Sequence, residues 1–241
     1  GQSIGILQSM RIQQAAGLNG NRYATFHQLG KEQAQKLHED DRLYDVGDTI
    51  FIGSTPLGNS SLSLYLREYH DNALSMYPAI GDVKEGRLPE EANEIALSED
   101  ALQYLGLDAV IGDTVSLDLS VSVMDGSLSE LEYSADFVLT GILESSYIGY
   151  ASGTVQGIVG EGTAEELLPE EYLLYSTDFK IYDKQNFQSI IYALAEDLNV
   201  DERYIQYNWI LLDAIGISYD EAADSDTGTG FSFMTTACIL V

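Results

Sequence analysis

The chain has 241 residues, 45% of them apolar, and a formal charge of -28 from 39 acidic and 11 basic side chains. That length buries roughly 70–75% of the unfolded surface in one large or two small domains, and the apolar content excludes disorder throughout. The charge repels nucleic-acid backbones and anionic lipid headgroups, so no nucleic-acid partner is expected; it tolerates cationic peptides or divalent ions and serves solubility most simply.

From the N-terminal side, Tyr23, Thr25 and His27 alternate in a predicted strand. The run GKEQAQKLHED is helical, with Ala34 and Leu37 on one side and charged residues around them. Asp45 and Gly47-Asp48 predict a turn before a strand over Thr49–Ile52. In SSLSLYLREY, from Ser60 to Tyr69, Leu62, Leu64 and Leu66 alternate with polar residues, the pattern of a half-buried strand.

The most organised stretch is GRLPEEANEIALSEDALQYLGL, Gly86 to Leu107. Gly86 supplies backbone freedom and Pro89 presets a turn. Glu94–Leu97 forms a short strand with Ile95 and Leu97 facing one way. Ser98 is placed to cap a helix whose first turn carries Glu99 and Asp100, whose buried face is Ala101, Leu102 and Leu105, and which Gly106 stops. Gly112-Asp113 turns the chain into a strand over Thr114–Leu119, and Ala135–Leu143 is a second long strand. MDGSLSELEY between them reads as a hairpin connection.

After a glycine-rich connection, TVQGIVG and EYLLYSTDF are strand candidates. Phe187, Ile190, Ile191, Leu194 and Leu198 recur at helical spacing over Asn186–Leu198, with Asn186 as the candidate cap. Tyr204–Asn208 reads as a strand, followed by a helix holding Leu211, Leu212 and Ile215. The fold class is therefore α+β: mixed, mainly antiparallel sheets with packed helices. Residues 1–85 and 146–241 are expected to form a discontinuous, porter-like α/β unit. Residues 86–145 are expected to be a small β-rich subdomain with one short helix, inserted in it.

No apolar run approaches the roughly 20 residues of a spanning helix. The chain opens without an initiating Met or a signal peptide, as expected of a domain excised from a longer protein. Its last residues, FSFMTTACILV, read as a final buried strand or as the approach to a membrane segment. Cys238 is the single cysteine, so no internal disulfide forms.

Catalytic signatures are missing from the sequence. His27, His38 and His70 are the only histidines; no HExxH or closely spaced Cys/His cluster occurs, and no Gly-x-Ser-x-Gly elbow places a nucleophile. Neither a phosphate-binding loop nor a dinucleotide fingerprint is present. The acidic runs Glu39-Asp40-Asp41, Glu90-Glu91 and Asp201-Glu202 read as helix-end or turn acids. The segment DEAADSDTGTG, Asp220 to Gly230, has enough oxygens to interest calcium but lacks the EF-hand order. No catalytic, cofactor or metal residue is therefore assigned. Sixteen tyrosines stand against one tryptophan. Tyr65 and Tyr69 near the early strands, and Tyr147 and Tyr150 in the ESSYIGYASG loop, are the candidate partner contacts, against a plainer reading of strand propensity and half-burial.

The Gly86–Leu107 stretch, with the IGDTVSLDL that follows it, resembles the MacB-like periplasmic core domain of FtsX-like ABC transporter permeases. The resemblance rests on Gly86-Arg87-Leu88-Pro89, Asn93-Glu94-Ile95, Ser98-Glu99-Asp100, Leu105-Gly106 and Gly112-Asp113-Thr114-Val115. Phe137-Val138-Leu139-Thr140-Gly141-Ile142 resembles the returning strand of such domains. It implies a non-catalytic domain on the extracytoplasmic side of the cell membrane, between the first two transmembrane helices of a permease. The implied partners are a cytoplasmic ABC ATPase, a second permease copy or homologue, and a peptide, lipoprotein or cell-envelope protein. ATP would be the cofactor of the separate ATPase alone. The alternative is a secreted or surface-anchored binding or adhesion protein with an acidic, tyrosine-rich surface.

Overall fold

In the computed structural model, which describes residues 2–125, 127–145 and 152–219, the chain begins with helix α1 (Gln2–Asn19). The sequence assigns no element there, because apolar and polar residues mix without a helical stripe. Ile6, Leu7 and Met10 are accordingly exposed. Among the described residues no helix is long and apolar enough to cross a membrane.

The chain divides into two compact units. One takes in the described residues up to Asp48, those from Asp71 to Pro78, and those from Tyr175 onward. Its elements are α1, β1 (Ala24–Leu29), α2 (Lys31–His38), β9 (Tyr175–Ile181), α5 (Phe187–Leu198), β10 (Ile205–Tyr207), α6 (Trp209–Ile215) and the start of β2 (Leu43–Pro56). Strand β1 lies between β10 and β9 and is antiparallel to both. Helix α2 packs on β1 and β9, burying Ala34 and Leu37 as its spacing predicts. Phe26 and Phe179 meet edge to face at 5.2 Å in the centre of this core.

The other unit comprises Thr49–His70 and the described residues of Ala79–Leu174. It contains the rest of β2, β3 (Ser63–Tyr69), β4 (Val83–Gly86), β5 (Glu94–Ser98), α3 (Glu99–Tyr104), β6 (Thr114–Asp125), β7 (Ser127–Leu143), β8 (Thr154–Val159) and α4 (Thr163–Leu167). The strand order is β2-β3-β8-β5-β7-β4, with β6 paired to β7 and touching β2. Strands β3 and β8 are parallel, as are β5 and β7; the remaining pairs are antiparallel. The class is thus a mixed α+β fold with a largely antiparallel sheet and packed helices.

Several local expectations change. Strand β2 runs unbroken through the anticipated turn at Asp45 and Gly47-Asp48. Asp45 takes a positive φ of 48° inside the strand. Gly47 is needed for close approach instead of a turn: a Cβ there would lie 2.5 Å from the Ala73 nitrogen and 2.7 Å from its Cα. Most of MDGSLSELEY is strand, with β6 and β7 in register out to Asp125↔Ser127. The paired strands extend beyond the predicted strand ends because the two chains continue to hydrogen-bond in register. In EYLLYSTDF, a 3-10 turn at Glu170–Tyr172 precedes β9, because Pro169 breaks the extended run and its carbonyl accepts from the Tyr172 amide at 2.9 Å. Asn186 makes no side-chain cap; Asp183 accepts from the Asn186 amide at 3.3 Å instead. Ser98 does cap α3, its hydroxyl accepting from the Ala101 amide at 3.2 Å.

Candidate functional site

The Gly86–Leu107 segment is held by a local polar clasp. Arg87 donates from Nη1 and Nη2 to Glu94 Oε1 and Oε2 at 2.9 and 2.6 Å. Glu94 Oε1 also accepts from the Glu90 and Glu91 amides, each at 2.9 Å. The Arg87 hydrogen bonds, followed by these amides, lower the Glu94 pKa to about 2. Gly141 lets the Arg87 backbone close on β7: a Cβ there would sit 2.3 Å from the Arg87 oxygen. These contacts join residues of the segment to one another and to β7. They make a rigid turn and offer no nucleophile or acid–base pair.

Of the four tyrosines nominated as partner contacts, Tyr147 and Tyr150 lie outside the described residues, as do Cys238 and the Asp220–Gly230 segment. Tyr65 is buried, its ring 6.0 Å from Phe51 and near the Arg67 guanidinium. Burial raises its pKa. Tyr69 is half-buried and pairs with Thr49 across β2 and β3. A different aromatic row appears in the first unit. Tyr182 stacks on Tyr44 at 4.5 Å, Tyr44 meets Tyr23, Tyr23 meets Phe187, and Phe187 meets Tyr207. Tyr182 is 65% exposed at its end. These residues are scattered along the chain, so no local sequence signal joins them; the pairing of the strands that hold or flank the tyrosines, with Phe187 at the start of α5, brings them together.

The histidines occupy three settings. His27 bridges strands, with Nδ1 2.8 Å from Ser176 Oγ and Nε2 2.7 Å from Gln206 Oε1. His70 hydrogen-bonds Glu68, a carboxylate 1% exposed whose other oxygen accepts from the Ala164 amide at 2.8 Å. His38 lies between two aspartates, its Nε2 2.9 Å from Asp48 Oδ2 and 3.7 Å from Asp71 Oδ2. Among the described residues these three side chains form the group able to hold a metal ion, one donor atom from each lying within 4.8 Å of the others.

The acidic runs marked in the sequence are engaged locally. Asp40 accepts from Arg42 Nε and Nη2, which lowers its pKa. Asp201 accepts from the Arg203 amide. A larger polar assembly sits inside the first unit. Asp178, 2% exposed, accepts from Thr25 Oγ1 and from Tyr77 Oη at 2.7 Å, and its Oδ1 lies 3.7 Å from Arg22 Nε. Arg22 Nε donates to Tyr77 Oη at 3.1 Å. Burial pushes the Asp178 pKa up, opposed by Arg22 and the two hydroxyls. This is a buried charge pair in which the carboxylate is well supplied with donors, while Arg22 Nη1 is buried without a hydrogen-bond partner among the described residues.

The fold is similar to that of two solved extracytoplasmic domains. The periplasmic region of MacB from Actinobacillus actinomycetemcomitans matches with a TM-score of 0.50 at 15% identity, over 87% of this chain and 99% of that domain. The extracellular domain of the noncanonic ABC-type transporter YknZ from Gram-positive bacteria matches with a TM-score of 0.50 at 12% identity, over 78% of this chain and 99% of that domain. No protein-family model matches the sequence, and neither does any curated protein. At such identities the likeness establishes a shared fold.

Proposed function

We propose that this chain is the non-catalytic extracytoplasmic domain of an ABC transporter permease. In this role it passes on conformational change driven by a cytoplasmic ATPase, or engages a peptide, lipoprotein or envelope protein outside the membrane. The observation that carries the reading is the shared fold, which spans 99% of both solved transporter domains. The Gly86–Leu107 clasp supports it: a rigid turn stapled by Arg87 and Glu94 suits an element that moves as a body. The partners proposed are the ATPase, a second permease copy or homologue, and an extracytoplasmic protein or peptide. Tyr69, Tyr147 and Tyr150 are proposed contacts for the last of these.

The test is thiol accessibility in intact cells producing the protein encoded by the complete gene. Val110, 64% exposed, is changed to Cys with Cys238→Ser as background. Labelling by a membrane-impermeant maleimide before lysis, at a rate altered by an ATPase-dead partner, is the expected outcome. Labelling only after lysis would sink the reading. Labelling of a secreted form with no ATPase dependence would favour the adhesion alternative.

A further inference from the structure

We propose that His38, Asp48 and Asp71 form a binding site for a divalent transition metal, zinc being the ion that their donors suit best. His38 ends α2, Asp48 lies in β2, and Asp71 follows β3; all three belong to the first unit. A tetrahedral zinc ion takes nitrogen and carboxylate oxygen at roughly 2.0–2.2 Å, which sets neighbouring donors about 3.4 Å apart. The His38 Nε2 distances of 2.9 and 3.7 Å bracket that separation. Those two separations need shifts of about half an ångström, and the two carboxylates offer donor atoms within 4.8 Å of each other, from which side-chain torsions can close on an ion.

Three further features bear on the site. Asp48 is buried, and its second oxygen, Oδ1, accepts from the buried Thr177 hydroxyl at 2.7 Å, which orients the carboxylate and leaves Oδ2 toward His38. The segment carrying Asp71 is held against β2 because Gly47, beside Asp48, lacks the Cβ that would collide with Ala73. The charges also balance: two carboxylates and a neutral imidazole match a divalent cation, whereas a protonated imidazole leaves one negative charge over. An imidazole with only two carboxylates favours zinc, cobalt or nickel above calcium or magnesium, which need six or more oxygens. Three protein donors leave a fourth position for water or for a partner's side chain. His38 and Asp71, with side chains 27% and 59% exposed, open that position to solvent.

The site is tested on the untagged chain, stripped with chelator and titrated with Zn²⁺ by calorimetry and with Co²⁺ by visible absorption. Excess Mg²⁺ is present throughout to occupy the general acidic surface. The expected result is one equivalent of Zn²⁺ and intense tetrahedral Co²⁺ bands, with His38→Gln and Asp71→Asn each weakening binding by about tenfold or more. Both substitutions are at exposed positions and far-UV circular dichroism verifies their folding, so the test does not depend on the buried Asp48. Weak multi-site binding without a saturable first equivalent would overturn the proposal. So would variants that bind Zn²⁺ as tightly as the native chain, or a His38 resonance that does not respond to Zn²⁺.

Discussion

In the first unit, the decisive buried polar contacts join residues far apart in the chain: Arg22 with Asp178 and Asp48 with Thr177. In the second, the clasp and cap of the Gly86–Leu107 segment join near neighbours, Arg87 with Glu94, Glu94 with the amides of Glu90 and Glu91, and Ser98 with Ala101, alongside longer-range bonds from Asn93 to Thr163 and Glu166. The first arrangement places charges in the interior, where burial raises the Asp178 pKa; the second keeps them near solvent, where hydrogen bonds lower that of Glu94. Long-range buried pairs therefore govern cohesion of the first unit. Short-range clasps shape a single turn and cost little to lose.

Substitutions separate the two arrangements by size. Arg22→Ala leaves Asp178 buried and unpaired, and is expected to destabilise by about 3–5 kcal/mol in urea unfolding. Hydrogen exchange should show the loss in β1, β9 and β10 before β5 and β7; equal loss in both units would break the contrast. Gly141→Ala drives a methyl against the Arg87 backbone, for an expected cost of about 1–3 kcal/mol in the same measurement. Ser98→Ala removes one cap hydrogen bond and should cost about 1 kcal/mol.

The Glu94 clasp gives the smallest effect, and its sign follows from the lowered pKa. A carboxylate whose folded pKa lies below its unfolded value stabilises fully above the unfolded value, near pH 4.5, and loses that contribution as pH falls toward about 2. The stability difference between the native chain and Glu94→Gln should thus be constant above pH ~4.5 and shrink below it. A difference that grows on acidification would contradict the assignment.

What could be read from the sequence follows the same division. Ser98, the strand at Glu94 and the helix Glu99–Tyr104 were legible because cap, turn and periodicity all fall within a few residues. The α5 face was legible for the same reason, its apolar residues recurring at helical spacing. Gly47 misled, because its role depends on Ala73, which nothing nearby in sequence announces. Helix α1 was silent for want of a stripe. The donors His38, Asp48 and Asp71 are separated by a helix end and two strands, so no acidic run in the sequence contains them; β2 and the loop after β3 bring them together. Tyr44 and Tyr182 were likewise missed, since their stacking requires the pairing of distant strands.

The proposed role makes this chain part of an ATP-driven permease complex. The direct measurement is isolation of the protein encoded by the complete gene from detergent-solubilised membranes of its own cells, with identification of whatever co-purifies in stoichiometric amount. An ABC ATPase is the expected partner, lost when the membrane-embedded part is removed and retained when this domain alone is deleted. Recovery of the protein from the soluble or secreted fraction, with no ATPase attached, would contradict it.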